Sequence, residues 1–166
     1  MTTRLPSEFI RTSARNRSVV DLLDSVLDGI VSYYRQESIP LPERQYWAIG
    51  GVPADCEQLT VTLLQTYVGV PGGEGLDPVP CKGPRTAVIG IQIFRKVTTS
   101  GSTGSNVPKG TDVQQSSVGP AIDAWAILDA ISEVDEFASA VTLSVNLIEP
   151  QGGLHGILAT YAVQIP

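Results

Sequence analysis

The stretch RTAVIGIQIFRKV, residues 85–97, limits what this chain can fold into more than any other. Ala87, Ile89, Ile91 and Ile93 recur with period two, while Thr86, Gly90, Gln92 and Lys96 take the alternate positions together with Val88 and Phe94. Period two marks a strand, whose successive side chains leave opposite faces. The pattern predicts a sheet packed on one face and solvated or partnered on the other. Three more segments alternate in the same way. EQLTVTLLQTYV (57–68) sets Leu59, Val61 and Leu63 against Thr60 and Thr62. VTLSVNLIE (141–149) directs Val141, Leu143, Val145 and Leu147 inward, and HGILATYAVQI (155–165) aligns Ile157, Ala159, Tyr161, Val163 and Ile165. QYWAIG (45–50) reads as a short aromatic strand.

Two segments follow the helical period instead. Val19, Val20, Leu23, Val26, Leu27, Ile30, Val31 and Tyr34 make one face, with Asp21, Asp24, Asp28, Ser32 and Arg35 opposite. Ser18 or Asn16 serves as the cap, Asp21 lies near the positive end of the dipole, and Pro40 with Pro42 stops the helix. A second helix is expected from about Val118 to Phe137, with Pro120 in its first turn. Its buried side is read as Ala121, Ala124, Trp125, Ile127, Leu128, Ile131 and Val134, and its wet side as Asp123, Asp129, Glu133 and Glu136. The order of helix, strands, helix and hairpin predicts an α+β fold: a largely antiparallel or mixed sheet of four to five strands, two amphipathic helices packed on one face, and long loops between strands.

A chain of 166 residues, 42% apolar and 17% charged, suits one folded domain, here residues 18–166 after a basic arm at 1–17. No run approaches the roughly 18 apolar residues of a membrane span, and the N-terminal residues lack a secretory h-region, which predicts a soluble, unprocessed chain. The net charge of −6 argues against a broad grip on nucleic-acid phosphates. The arm runs against that balance, with Arg4, Arg11, Arg15 and Arg17 facing only Glu8. It reads as a nucleic-acid contact, a strap across an acidic neighbouring subunit, or a solvated tail.

Two Gly- and Pro-rich stretches, GVPGGEGLDPVPCKGP (69–84) and TTSGSTGSNVPKGT (98–111, with Ser and Thr continuing to 117), are long enough to be partner-contacting loops or mobile surface. Cys56 and Cys81 are too widely spaced for a CxxC site, and one histidine cannot complete a zinc set with them; they form either a disulfide or two reduced thiols. No metal or cofactor is expected.

Catalytic patterns are sparse. His155 is the only imidazole available to a serine nucleophile, no G-x-S-x-G elbow exists, and the phosphate-loop pattern fails because Lys109 precedes Gly110. GSTGS (101–105) sits in a tract without strand or helix character, and GGEG (72–75) lacks the spacing of a dinucleotide fingerprint. The acid pairs Asp135 with Glu136 and Asp129 with Glu133 read as solvated helix charges. The expectation is a chain with no catalytic, cofactor-binding or metal residues. A small hydrolase using His155 with a serine from 101–117, and a monomeric binding module, are the readings outside that class.

One resemblance bears on function. CEQLTVTL from Cys56, a Gly/Pro loop, CKGPRTAVIGIQIFRKV from Cys81, a late helix and the closing EPQGGLHGILATYAVQIP, with its P-x-G-G-x-x-G motif from Pro150 to Gly156, together resemble the tail terminator and neck proteins of long-tailed phages that infect actinobacteria. The likeness covers roughly residues 20–166; the arginine-rich arm has no counterpart in it. It implies a virion structural protein at the head–tail junction, assembled in the host cytoplasm as a homo-oligomeric, sixfold ring. Such a ring caps the tail tube protein, meets a neck or connector protein below the portal, and lets DNA pass through the lumen without specific binding. The alternative within the class is another neck ring, a head–tail adaptor or stopper.

Overall fold

The computed structural model describes residues 14–53, 55–71, 83–96, 110–138, 140–151 and 153–165. Residues 1–13 of the basic arm, most of both loops and Cys81 lie outside the described residues; Cys56 carries a free thiol. In chain order the elements are α1 (Ala14–Gln36), β1 (Arg44–Ile49), β2 (Gln58–Val68), β3 (Arg85–Lys96), α2 (Gly110–Ser132), a single 3-10 turn (Asp135–Phe137), β4 (Val141–Gln151) and β5 (Leu154–Ile165). This is an α+β fold around a five-stranded mixed sheet of order β1-β2-β3-β5-β4.

α1 starts at Ala14, so Arg15 and Arg17 belong to the helix and not to the arm. It ends where Ser38 turns into the left-handed region (φ 57°) and the Ile39 N–H reaches back to the Tyr34 carbonyl at 2.8 Å, satisfying an acceptor that the helix leaves open. The helix thus ends before Pro40 and Pro42, which exclude its continuation, as expected.

At the centre of the sheet, Ala87, Ile89, Ile91 and Ile93 of β3 face Val163, Tyr161, Ala159 and Ile157 of β5 in register, and all are buried. With Leu59 and Val61 of β2 they share one hydrophobic cluster with Leu23, Val26, Ile30 and Tyr34 of α1 and Ile127, Ile131 and Val134 from α2 and the turn after it. Each large aliphatic side chain buried here contributes roughly 1.5–3 kcal/mol. Gly29 lets the two helices meet: a Cβ there would stand 2.6 Å from a Val134 methyl.

β1 and β2 run parallel, joined by residues 50–57 alone. Parallel neighbours ordinarily need a dozen or more residues and a helix to cross over. Here β1 is only six residues, about 20 Å long, and an extended eight-residue return spans roughly 26 Å. Gln58 pins that return: its Nε2 donates to the Pro53 carbonyl and its Oε1 accepts from the Tyr46 hydroxyl, both at 3.2 Å.

The second face of the sheet departs from expectation, because Thr60, Thr62 and Thr86 are buried. Two of these hydroxyls are satisfied locally, Thr62 Oγ1 donating to the Gly90 carbonyl (3.0 Å) and Thr86 Oγ1 to the Gly69 carbonyl (2.7 Å). A bulge after Leu63 also breaks the alternation of β2. Two residues there oppose one of β3, so that Thr66, and not Gln65, pairs with Ala87.

β4 corrects a second expectation: of Val141, Leu143, Val145 and Leu147, only Val145 packs against the core. β4 is an edge strand, a register shift after Thr142 displaces Leu143, and Leu147 is 71% exposed. The closing hairpin is present with a shorter turn than Pro150–Gly153: Pro150 and Gln151 belong to β4, Gln151 pairs with Leu154, and Gly153 turns at φ +80°. Pro150 falls at the second register shift of β4, where a missing N–H is tolerated.

Gly156 has a different reason to be glycine. A Cβ there would lie 1.9 Å from the Ile93 carbonyl oxygen on the neighbouring strand. Gly156→Ala is expected to force β3 and β5 apart and destabilise the fold by about 3 kcal/mol. Urea unfolding of the purified variant checks this; a shift below about 1 kcal/mol would show that the ladder yields there.

Candidate functional site

Charged residues of a folded chain stay wet unless something pairs them. α2 contradicts the expected wet side at one position, since Asp123 is buried, its side chain 1% exposed. Arg95, at the end of β3 and in phase with Ile91 and Ile93, reaches it in a two-point contact. Nη2 donates to Oδ1 at 2.7 Å and Nε donates to Oδ2 at 2.8 Å. The Tyr34 hydroxyl of α1 donates to the same Oδ1 at 2.9 Å. Burial and the adjacent carboxylate push the Tyr34 phenol well above its ordinary range. One carboxylate thereby joins the first helix, the central strand and the second helix.

This pairing sets the rotation of α2. Pro120, Asp123, Ala126, Ile127, Ala130, Ile131 and Val134 are buried, a stripe of helical spacing that includes the aspartate. Trp125 and Ala121, expected on the buried side, are exposed, and Trp125 is 71% so. The reason is angular: at 100° per residue Trp125 lies about 200° from Asp123, so a stripe containing one excludes the other. α2 also begins at Gly110, eight residues before the expected start, which places Pro120 in its interior. There the ring withholds the N–H that would bond the carbonyl of residue 116.

His155 stands at the same end of the sheet, cross-strand from Arg95, and is 7% exposed. Burial pulls its imidazole below the ordinary range, partly offset by the Asp123 charge. Asp123 is already engaged by the guanidinium and the phenol, so it does not supply the carboxylate that orients an imidazole in a Ser-His-Asp site. Of the serines at 101–117, Ser102 and Ser105 lie outside the described residues, and Ser116 and Ser117 fall within α2. The expected acid pairs are separate from this cluster: Asp129 accepts from the Tyr33 hydroxyl at 3.3 Å, and Asp135 opens the 3-10 turn. Among the described residues no three His, Cys, Asp or Glu side chains gather as a metal site, and no helix is long and apolar enough to cross a membrane.

A further feature among the described residues is a shallow groove between the helices, about 450 Å³ and open to solvent. Val118, Ile122 and Trp125 of α2 and Ile39 after α1 supply its apolar floor, and Glu37 and Asp129 supply carboxylates. Sequence reasoning missed both the ion pair and the groove. The signal for the pair was present in β3, where Arg95 continues the buried phase of Ile89, Ile91 and Ile93. The chain matches no known family model and no curated protein.

Two outcomes are expected here. Asp123→Ala strands a guanidinium that is only 15% exposed, so urea unfolding should show a loss of about 3–5 kcal/mol. Asp123→Leu combined with Arg95→Met should recover most of it, because no unpaired charge remains. His155, with its folded pKa lowered, binds fewer protons folded than unfolded, so stability falls as pH drops below the free imidazole value of about 6.5. Thermal melts between pH 7.5 and 5.5 should therefore fall further for the wild type than for His155→Gln; equal slopes would remove His155 from the pH response.

Proposed function

We propose that the chain is a virion structural protein, the tail terminator of a long-tailed phage, acting as a ring subunit at the head–tail junction. The observation that carries this reading is large apolar side chains left exposed on separate elements: Trp125 on α2, Leu147 on the open edge strand β4 and Ile49 at the end of β1. Trp125 stands with Val118 and Ile122 along one side of α2, a contiguous apolar patch of the kind that marks interaction sites, and exposed apolar groups on further elements fit a subunit that meets more than one neighbour. The two sheet edges, β1 and β4, add unpaired backbone that a neighbour can satisfy. The resemblance of the 56–63, 81–97 and 149–166 segments to terminator and neck proteins supplies the kind of assembly, and the acidic balance suits a lumen that repels phosphate. In this reading the ring is sixfold, its partners are the tail tube protein and a neck protein, and it performs no catalysis.

The test is mass measurement and negative-stain imaging of the 17.6 kDa chain, alone and with tail tubes. Sixfold rings seated on tube ends are expected. A twelvefold ring on a portal would replace the terminator with an adaptor, and a monomer that ignores tubes would overturn the ring altogether.

A further inference from the structure

The groove between α1 and α2 has an unusual surface for a free molecule. Its floor is apolar, with Trp125 71% exposed and Val118 55% exposed, and the two charged side chains among its lining residues, Glu37 and Asp129, are both acidic. Burial and the charges of Asp129, Glu37 and Glu133 together hold the nearby Tyr33 phenol above its ordinary range. A complementary ligand is therefore apolar with flanking positive charge. One segment of the chain has that composition. In residues 4–11, RLPSEFIR, the apolar Leu5, Phe9 and Ile10 are bracketed by Arg4 and Arg11.

Chain length decides whether that segment fills its own groove. The helices run counter to each other, with Gly29 against Val134 and Tyr33 bonded to Asp129. The end of the groove nearest the arm is thus at Tyr33, and Trp125, Ile122 and Val118 follow further away. From Ala14 to Tyr33 is nineteen residues of helix, about 28 Å. Phe9 is five residues from Ala14 and reaches at most about 18 Å; Ile10 reaches about 14 Å. Within one chain neither Phe9 nor Ile10 reaches Trp125 or Ile122; only Leu5, nine residues from Ala14 and so about 32 Å at most, extends as far as the near end.

We propose that the α1–α2 groove is the docking site for residues 4–11 of a second copy of this chain, with Phe9 and Ile10 against Trp125 and Ile122 and the arginines toward Glu37 and Asp129. The contact deepens the ring reading by naming its seam, and rests on that reading only for the number of copies that the seam joins. Of the three readings of the basic arm, it selects the strap. The interface is heterologous, groove to arm, so each copy has one of each to offer and the contacts can propagate around a closed ring.

The test uses two full-length variants. Trp125→Glu spoils the groove at a side chain exposed enough to leave folding intact, and Phe9→Ser with Ile10→Ser spoils the arm. By sedimentation each alone should lose the wild-type oligomer. Mixed, they retain one intact arm and one intact groove and should sediment as pairs, a rescue that only a contact between copies produces. Oligomers of unchanged mass in both variants would overturn the seam and leave the ring standing. A wild-type chain that stays monomeric at every concentration would overturn both, and loss in each variant without rescue on mixing would overturn the docking of arm into groove.

Discussion

The Arg95–Asp123 ion pair is the contact on which the arrangement of this molecule depends. It couples the central strand to α2 and, through the Tyr34 hydroxyl, to α1. Two charges out of water cost several kcal/mol each, and two-point geometry with a third hydrogen bond is what offsets that cost. A pair of this kind adds little net stability over apolar residues of the same size. Its effect is to select one helix rotation among several that would bury similar area, since any other rotation strands a charge. Trp125, Ile122 and Val118 face water for that reason, and the groove is a by-product of the pairing.

The fold class was legible because its signals are periodic and local. The alternation of β3 and β5 and the 3.6-residue spacing of α1 specify their faces without reference to the rest of the chain. What was not legible depends on partners distant in sequence. Asp123 looks like a wet residue until Arg95, 28 positions earlier, is placed beside it. Leu143 and Leu147 look like core until β4 turns out to be the edge of the sheet. The bulge in β2 is hidden because LTVTLLQT keeps an apolar residue on each side of the slip. The parallel β1–β2 pair is equally hidden, because the stretch between the strands is shorter than a parallel crossover ordinarily needs, and the buried Gln58 shows where the return is held.

The candidate site was legible in the opposite way. The sequence drew attention to its one histidine, and the structure buries that histidine cross-strand from Arg95, whose partner Asp123 is already engaged. The features that stand out instead are surfaces: an apolar groove whose two charged lining residues are acidic, and an edge strand with exposed leucines. Surfaces of that kind leave weak marks in a sequence, because an exposed Trp and a buried Trp are the same letter at adjacent helical phases.

The sheet order carries one more consequence. β5, residues 154–165, is inserted between β3 and β4, and its partners on β3 lie 58 to 80 positions earlier. The central ladder therefore forms only after α2 and the hairpin have left the ribosome, since loop closure over such distances precedes any reward from pairing. A nascent chain that stalls before Leu154 lacks the strand that joins β3 to β4 and the buried Ile157, Ala159, Tyr161 and Val163 that complete the core. Completeness of the chain is thereby a condition of having the core on which α2 and its groove rest.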